Sequence, residues 1–350
     1  MTGDPSTRSA PSGRDRYSRQ RLFAPVGTAG QERIAASHVA LVGCGALGTH
    51  VAQHLARAGV GRLRICDRDF VELDNLQRQV LFDEDDVKAN LPKAAAAAAK
   101  LARINSAITV EPRVVDVNPG NVESLIQDVD LVLDGTDNFE TRFLLNDACV
   151  KRGKPWVYAG CVGSYGMVLA VVPGETACFR CVIGEMPAPG SSPTCDTAGV
   201  LGPAVGVVAS LQAAEAIKLL TGHRDALAPG LVTLDVWSNS QQTFKAARDP
   251  SCPTCGQKRF DFLEGRAAGA ATSLCGRNAV QVVPPPGASL DLADLEQKLL
   301  KVGAVSRNEY LVKFIIEDVE VTLFPDGRAI VKGTDDLVRA RALYARYVGS

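Results

Sequence analysis

The chain has 350 residues, 46% of them hydrophobic and 22% charged, and this ordinary composition excludes a disordered or fibrous chain. The formal net charge of -1 argues against a general nucleic-acid-binding protein, because such proteins usually carry a basic excess. No apolar run approaches the roughly 18 residues of a membrane-spanning helix and no secretory signal is visible, so we expect a cytoplasmic protein without a membrane partner.

The larger part of the chain predicts strands and helices in alternation. Residues 1–15, rich in Ser, Thr, Gly, Pro and Arg, are expected to form a disordered tail. Short apolar strands then alternate with helices, and these strands are predicted at 38–42, 62–66, 108–114 and 129–133. Strand segments broken by glycines follow at 156–172, and a long apolar helix at 205–220. The alternation is typical of an α/β fold with a doubly wound, Rossmann-like parallel sheet that helices cover on both faces.

The C-terminal part predicts a small separate α+β domain. The Ala- and Gly-rich residues 264–274 are interpreted as a linker that divides a large domain at 16–263 from a small one at 275–350. Two helices and three strands are predicted in the small domain, at 290–302, 310–316, 319–324, 329–332 and 335–347. A Pro-Asp-Gly turn joins the last two strands as a hairpin.

A glycine motif follows the first predicted strand and opens a helix. Gly43, Gly45 and Gly48 permit a tight turn and let a phosphate approach the backbone N–H groups at a helix N-terminus. Asp67 ends the second strand, where an acidic residue hydrogen-bonds ribose hydroxyls. We therefore expect nucleotide binding, and the alternative is a glycine turn selected for close packing alone. The motif by itself does not separate NAD, FAD and ATP.

Three charged residues favour ATP over a dinucleotide. Arg78 lies just past the ribose position and offers a guanidinium suited to phosphate oxygens. Lys93 begins an alanine-rich helix, whose positive end also favours a phosphate. Asp137, followed by Asn138, comes after the fourth strand, and a carboxylate there suits Mg²⁺. An ATP-cleaving enzyme needs all three, whereas an NAD dehydrogenase does not. The alternatives are a surface arginine, an exposed lysine and a helix N-cap.

Two Cys-x-x-Cys pairs predict a structural zinc site. Thiolates from Cys178, Cys181, Cys252 and Cys255 can surround Zn²⁺ as a tetrahedron that leaves no open position. A redox dithiol or a chance arrangement is the alternative. Cys195 lies in a loop of small residues, where a thiol is accessible for nucleophilic chemistry. For Cys195 the alternative is an incidental cysteine.

Eight motifs stand in one order along the chain, at 16–20 (Arg-Tyr-Ser-Arg-Gln), 43–48, 67–69, 75–79 (Asn-Leu-Gln-Arg-Gln), 92–93, 136–138, the two Cys pairs and 194–195. From about Tyr17 to Gly256 the chain thereby resembles the ThiF/MoeB/HesA group of the ubiquitin-activating-enzyme family. The resemblance implies an enzyme that uses ATP and Mg²⁺ to adenylate the C-terminal glycine carboxylate of a ubiquitin-like sulfur carrier protein. A sulfur nucleophile then attacks the acyl-adenylate, and the carrier ends in a thiocarboxylate for thiazole, molybdopterin or related sulfur chemistry.

The resemblance also implies roles for individual residues. The family's nucleotide-binding positions correspond to Gly43, Gly45, Gly48, Asp67, Asn75, Arg78, Lys93, Asp137 and Asn138. Arg19 resembles an arginine that reaches into the neighbouring subunit's site, which implies a homodimer. The paired cysteines match the zinc ligands. Cys195 matches a cysteine that some members use for sulfur transfer or for a covalent adduct with the carrier.

Functions of two other classes stay open on the sequence. The glycine motif alone is compatible with an NAD- or FAD-dependent oxidoreductase, and a degenerate family member would be a non-catalytic scaffold for a ubiquitin-like protein. The tail from about 270 to 350 does not match the rhodanese domain that some relatives carry, so sulfur is expected to come from a separate donor protein or by another route. The tail is expected either to contact the carrier or to stabilise the dimer.

Overall fold

The computed structural model describes residues 15–186, 198–265, 273–274, 278–283, 289–301, 303–316 and 318–348. Within these ranges the strands form one sheet of eight strands and one of six. The larger sheet contains β1 (His38–Val42), β2 (Arg62–Asp67), β3 (Thr109–Val114), β4 (Leu131–Asp134), β5 (Trp156–Val162), β6 (Tyr165–Val171), β7 (Gly230–Asp235) and β8 (Ser240–Lys245). The predicted tail at 1–15 lies outside the described residues, apart from its last residue.

The spatial order of the larger sheet is β3-β2-β1-β4-β5-β6-β7-β8. Strands β1 to β5 run parallel to one another, which confirms the predicted α/β fold with a parallel-rich sheet. Strands β2 and β3 lie on one side of β1 and β4 lies on the other, so that Val42 pairs with both Cys66 and Asp134. In open sheets of this kind, ligands bind outside the carboxyl ends of the strands at such a switch point.

The sheet departs from the expected parallel arrangement after β5. Residues 156–172 form the antiparallel hairpin β5–β6, and β7 and β8 continue the sheet in antiparallel pairing. Gly163 lies in the hairpin turn at φ 61°, a left-handed conformation that glycine adopts without a steric penalty. A short turn suffices between antiparallel neighbours, whereas each parallel neighbour needs a longer crossover.

Helices cover both faces of the larger sheet, as predicted. They are α1 (Ser18–Leu22), α2 (Gly27–Ala36), α3 (Ala46–Ala58), α4 (Glu84–Lys88), α5 (Lys93–Ile104), α6 (Val122–Ile126), α7 (Phe139–Arg152), α8 (Phe179–Ile183) and α9 (Gly202–Thr221). One apolar cluster joins α3, α5 and α9 to the sheet through Leu55, Leu101 and Val208. A second cluster, which includes Phe143 and Phe179, joins α7 and α8 to the opposite face.

Helix α9 is long and apolar. Among the described residues it is a 20-residue helix that meets the length and composition criteria for a membrane span, and half of its apolar window is buried inside the fold. Gln212, Glu215 and Lys218 interrupt its apolar sequence, so the helix contains no unbroken apolar run of this length and meets the criteria on its average composition. Gln212 is buried and donates to the backbone oxygens of Asp134 (2.8 Å) and Val157 (2.9 Å), which ties α9 to β4 and β5.

The smaller sheet and two helices form the C-terminal unit, which comprises the described residues of 273–348. Its strands are β9 (Ser273–Leu274), β10 (Ala279–Val282), β11 (Ala304–Arg307), β12 (Val312–Ile316), β13 (Val319–Leu323) and β14 (Ala329–Lys332). They pair antiparallel in the order β11-β12-β13-β14-β10-β9, with α10 (Leu292–Leu299) and α11 (Leu337–Tyr347) packed on them. The predicted strands and helices are present with shifted ends. Strand β9 lies inside the segment interpreted as a linker, and β10 and β11 have no predicted counterpart.

Candidate nucleotide site and metal centre

The three glycines of the turn between β1 and α3 have different surroundings. Gly43 has φ 89°, and a Cβ there would lie 2.6 Å from the backbone of Gly135. A Cβ on Gly48 would overlap the carbonyl oxygen of Gly43. A Cβ on Gly45 would meet only the amide nitrogen of Gln79, at 3.8 Å. Close packing therefore explains Gly43 and Gly48, whereas Gly45 keeps open the space at the start of α3, where backbone N–H groups can meet an anion.

Asp67 lies beside this turn and is held by backbone groups. Its carboxylate accepts hydrogen bonds from the N–H of Cys44 (2.6 Å) and from the N–H of Asp69 (2.7 Å). Burial raises the pKa of Asp67, and the positive charge of Lys93 opposes that shift. Each carboxylate oxygen can still accept a second hydrogen bond, which is what contact with a ribose hydroxyl requires.

Lys93 stands at the first position of α5 and is 3% exposed. Its Nζ lies 3.3 Å from Asp69 Oδ2, and its backbone N–H donates to the Asp69 carbonyl oxygen (2.9 Å). The loop after β2 and the start of α5 are thus fixed to each other, and the structure places Lys93 close to Asp67. A lysine held in this way at a positive helix end can contact a phosphate without losing much side-chain entropy.

Asn75 and Arg78 lie in the segment between β2 and α4. Asn75 is buried, and its amide donates to Asp74 Oδ1 (2.7 Å) and accepts from Gln79 Nε2 (2.6 Å). Arg78 is half-buried and donates one N–H to the Asp74 carbonyl oxygen (2.9 Å). Asn75 therefore shapes this segment through contacts within the chain, and Arg78 has further N–H donors for a ligand.

The residues after β4 complete the carboxyl edge of the sheet. Asp134 is fully buried, and its carboxylate accepts from Thr136 Oγ1 (2.7 Å) and from Arg142 Nε (3.3 Å). Asp137 is exposed at this edge. Asn138 is the N-cap of α7 and accepts from the backbone N–H of residue 141 at 2.9 Å, so the helix-cap alternative holds for this residue. An exposed carboxylate beside a phosphate site fits the oxygen ligands that Mg²⁺ prefers.

The four paired cysteines converge on one point. The Sγ atoms of Cys178, Cys181, Cys252 and Cys255 all lie within 4.8 Å of one another, with 3.6 Å between Cys178 and Cys252 and 3.3 Å between Cys181 and Cys255. Zinc–thiolate bonds of about 2.3 Å in a tetrahedron separate the sulfurs by about 3.8 Å. The residues fit a structural zinc ion with a complete ligand shell. Burial raises the pKa of Cys255 to about 11, and a bound cation would reverse this by favouring the thiolate.

Helix α7 connects the cysteine cluster to the nucleotide edge of the sheet. It begins after Asn138, and further along the helix Asn146 donates to Cys178 Sγ at 3.7 Å. The next residue, Asp147, accepts from Thr254 Oγ1 (2.8 Å), which lies between the cysteines of the second pair. A metal in this cluster would stabilise the packing of α7 at a distance from the reacting groups.

The sequence is similar to known proteins over most of its length. The family model described as "ThiF family" matches residues 17–254. The chain belongs to the ThiF family. It is 46% identical over 337 residues to the sulfur carrier protein ThiS adenylyltransferase of Bacillus subtilis (strain 168), and the match covers 95% of this chain and 99% of that protein. This ThiF-family chain is an adenylyltransferase.

Two further proteins extend the comparison. The SAMP-activating enzyme E1 of Haloferax volcanii is 42% identical over 250 residues, which are 71% of this chain and 92% of that protein. The crystal structure of E. coli MccB with ATP has a TM-score of 0.62 at 26% identity and covers 70% of this chain and 75% of MccB. Both matches leave out a part of this chain comparable in length to the C-terminal unit, whereas the ThiS adenylyltransferase match spans nearly the whole chain.

Arg19 is the one predicted catalytic residue in the described part of this ThiF-family chain that lies away from the others. It is exposed on α1, whose next residue, Gln20, donates to the carbonyl oxygen of Ala58 (3.0 Å) at the last turn of α3. Helix α3 has 13 residues, so its ends are about 20 Å apart. The glycine turn lies at the opposite end. Within one chain, Arg19 therefore does not reach the nucleotide site.

Sequence reasoning missed three side chains at the nucleotide edge. Asp69 is the ion-pair partner of Lys93. Gln79 is buried beside Gly45, and its Oε1 has no hydrogen-bond partner within the described residues. Asp134 anchors the turn after β4. Asp69 and Gln79 belong to the motifs at 67–69 and 75–79 but received no role of their own, whereas Asp134 follows the predicted fourth strand and lies outside the motif at 136–138. The predicted nucleophile at position 195 lies outside the described residues.

Proposed function

We propose that this adenylyltransferase activates the C-terminal glycine carboxylate of a ubiquitin-like sulfur carrier protein. The observation that carries the proposal is the convergence of Asp67, the buried Lys93 and the open space at Gly45 on one carboxyl edge of the sheet. A helix N-terminus and a fixed ammonium suit a triphosphate, and the carboxylate beside the turn suits its ribose.

The reaction joins two anions, a carboxylate and ATP, which repel each other. Positively charged side chains of the protein reduce this repulsion. A carboxylate oxygen of the carrier's last glycine attacks the α-phosphorus of ATP, forming an O–P bond while the bond to the pyrophosphate oxygen breaks. Lys93 and Arg78 offset the repulsion and stabilise the charge that develops on the departing pyrophosphate. The attacking carboxylate is already ionised near neutral pH, so no general base is required.

Two metal ions accompany the proposal. Asp137, exposed beside the phosphate-facing residues, would hold Mg²⁺, which supplies charge neutralisation of the phosphates. The four cysteines would hold Zn²⁺ with no open coordination position, so its contribution is to folding. The proposal therefore gives none of these four cysteines a role in the reaction itself.

The carrier is proposed to be ThiS-like. The relative named as a ThiS adenylyltransferase aligns with 95% of this chain, including the C-terminal unit, whereas the SAMP-activating enzyme aligns with 71%. A MoaD-like carrier of molybdopterin chemistry is the second candidate. We further propose that Cys195 or a separate donor protein delivers sulfur to the acyl-adenylate, that Arg19 serves the site of a second subunit in a homodimer, and that the enzyme works in the cytoplasm.

The proposal is tested by ATP–pyrophosphate exchange with purified carriers. A ThiS-like and a MoaD-like carrier, both ending in Gly-Gly, are compared with versions that lack the last glycine. Exchange that depends on the intact terminus supports the proposal, and a higher kcat/KM with the ThiS-like carrier supports the choice of carrier. Carrier binding without exchange would identify a scaffold instead. Binding of NAD in place of ATP would identify an oxidoreductase-type site.

A further inference from the structure

The C-terminal unit packs against the segment that carries the nucleotide-facing residues. This segment runs from Asp67 at the end of β2 to Lys93 at the start of α5. Phe70 of the segment belongs to a small apolar cluster whose other buried members, among them Leu311 and Phe324, come from the C-terminal unit. The outer side of the nucleotide-binding segment is therefore covered by residues of the C-terminal unit.

Polar contacts add to this apolar cluster. Asn308 donates to the backbone oxygens of Ala89 (3.2 Å) and Asn90 (2.7 Å), just before α5. Lys332 Nζ lies 3.1 Å from Glu72 Oε1 on the other half of the segment. The C-terminal unit thus holds the segment at both ends. Exposed pairs such as Lys332 and Glu72 contribute little stability, so the buried contacts decide the strength of the attachment.

Asp116, just beyond β3, connects the two parts of the molecule through a partly buried hydrogen bond. Its Oδ1 accepts from Arg68 Nη1 (2.8 Å), and its Oδ2 accepts from Gln281 Nε2 of β10 (2.7 Å). Gln281 is 6% exposed, so this charge-assisted bond is sheltered from water. Arg68 follows Asp67 directly, and β3 lies beyond β2 from the switch point. The chain of contacts therefore borders the nucleoside end of the site.

Arg328 of the C-terminal unit adds a buried positive charge at the same junction. It is 2% exposed, and in the described part of the chain its Nη1 and Nη2 have no hydrogen-bond partner. Burial lowers the pKa of Arg328, and the negative charges of Asp326, Asp116 and Asp69 oppose that shift. The guanidinium therefore interacts electrostatically with Asp116 and with Asp69, which is the ion-pair partner of Lys93. Its Nε donates to Asp326 Oδ2 (3.4 Å), and its guanidinium lies over the ring of Phe324.

We propose that the C-terminal unit is part of the ATP site, and that Gln281 is a positioning residue that fixes Arg68 and the nucleotide-binding segment by way of Asp116. The inference rests on the proposed adenylating function. It predicts that weakening this contact impairs ATP binding and leaves carrier binding unchanged, because Gln281 acts through Asp116 on Arg68, the residue next to Asp67 in the nucleotide-binding segment.

The first test measures ATP affinity in Gln281→Leu, which removes the donor and keeps the volume. Loss of one charge-assisted hydrogen bond predicts an increase in the Kd for a non-hydrolysable ATP analogue of about tenfold. The KM for the carrier stays unchanged. Gln297→Leu is the matched control, because Gln297 is exposed on α10 of the same unit and touches none of these residues. The control is expected to bind the analogue as the unmodified protein does.

The second test uses Gln281→Glu to separate positioning from a merely structural role. The new carboxylate repels Asp116 at about pH 8, so the Kd for the analogue rises further than in the leucine variant. Toward about pH 6 the new carboxyl group takes up a proton and can donate to Asp116 again, so the affinity recovers. Recovery of ATP affinity at the lower pH supports the positioning role of residue 281, even if the leucine variant folds poorly.

The outcomes separate the inference from the function on which it rests. If the unmodified protein binds no ATP analogue, the proposed function fails. If it binds the analogue, and both variants at position 281 bind it equally well at every pH, the positioning role is overturned. An increase in the carrier KM with an unchanged ATP affinity would likewise overturn it, since the C-terminal unit would then serve the carrier.

Discussion

At the residue scale, two glycines of the turn between β1 and α3 are needed for different reasons, one for close packing and one for the ligand. Gly48 has no room for a side chain, because a Cβ there would overlap the carbonyl of Gly43. Gly45 has room within the chain, and the space above it is the space that an anion at the α3 N-terminus would occupy. A methyl group at these two positions should therefore have opposite consequences.

We expect Gly45→Ala to weaken ATP binding by about tenfold or more while the melting temperature stays close to that of the unmodified protein. Gly48→Ala, the matched control, should destabilise the fold by about 1–3 kcal/mol, the usual cost of overpacking. Nucleotide titration and thermal unfolding measure the two effects separately. Normal ATP affinity in Gly45→Ala would contradict the placement of the phosphates at this turn.

The phosphate-facing charges give a second prediction at this scale. Arg78→Ala and Asp137→Ala should each lower the rate of ATP–pyrophosphate exchange by about 100-fold or more. Arg78→Ala removes a positive charge that stabilises the phosphates, and Asp137→Ala removes the carboxylate that would hold Mg²⁺. Zinc content, measured by elemental analysis, should not change, because neither residue touches the cysteine cluster. Arg103→Ala, on the exposed surface of α5, serves as the control. Exchange that survives both substitutions would refute these assignments.

At the element scale, the packing of α3 against α9 makes stability depend on pH. Burial, reinforced by neighbouring positive charge, lowers the pKa of His50 and of His54 below the ordinary value of 6.5. The unfolded chain then binds protons more readily than the folded one, so stability is full above pH 6.5 and falls as the pH drops toward the folded-state pKa. The pair His54 and Ser210, 3.3 Å apart, lies at this contact.

The double substitution His50→Gln and His54→Gln should flatten this dependence in urea unfolding experiments between about pH 7 and pH 5. A double variant with the slope of the unmodified protein would show that other groups control the pH dependence.

The elements differ in how far the sequence predicts them. Alternating apolar strands and helices predict β1 to β4 and their covering helices, because each of these strands falls within a short apolar run between helical or loop segments. The direction of β6 to β8 is not a local property, since antiparallel pairing depends on which strand lies alongside. Strands of two to four residues, such as β9 and β11, are too short to show a period. The hairpin at 319–332 is predictable from its turn residues.

The residues of the site also differ in how far the sequence predicts them. The positions of Asp67, Lys93 and the paired cysteines follow from motifs with fixed spacing, and the structure brings each group together. Two features depend on how distant segments meet. They are the buried Gln79 Oε1, which has no hydrogen-bond partner among the described residues, and the contact between Gln281 and Asp116. Such tertiary contacts leave no periodic or spacing signal in a single sequence.

At the scale of the whole molecule, the position of Arg19 argues for two subunits. Its neighbour Gln20 contacts the end of α3 opposite the glycine turn of the same chain, and α3 is about 20 Å long. If Arg19 serves a partner's site, a mixture of Arg19→Ala and Lys93→Met chains forms heterodimers with one intact site. We expect each variant alone to be inactive in exchange and the mixture to regain up to about a quarter of the activity. Two variants that stay inactive after mixing, although they form dimers, would contradict the shared site.

The central claim is that a carrier's terminal carboxylate attacks the α-phosphorus of ATP. Isotope transfer tests it most directly, with a carrier whose terminal carboxyl oxygens are labelled with a heavy oxygen isotope. The account predicts AMP that contains a labelled oxygen, because the attacking oxygen stays on phosphorus when sulfur displaces it from the acyl carbon. AMP without label, formed during turnover to the thiocarboxylate, would contradict it.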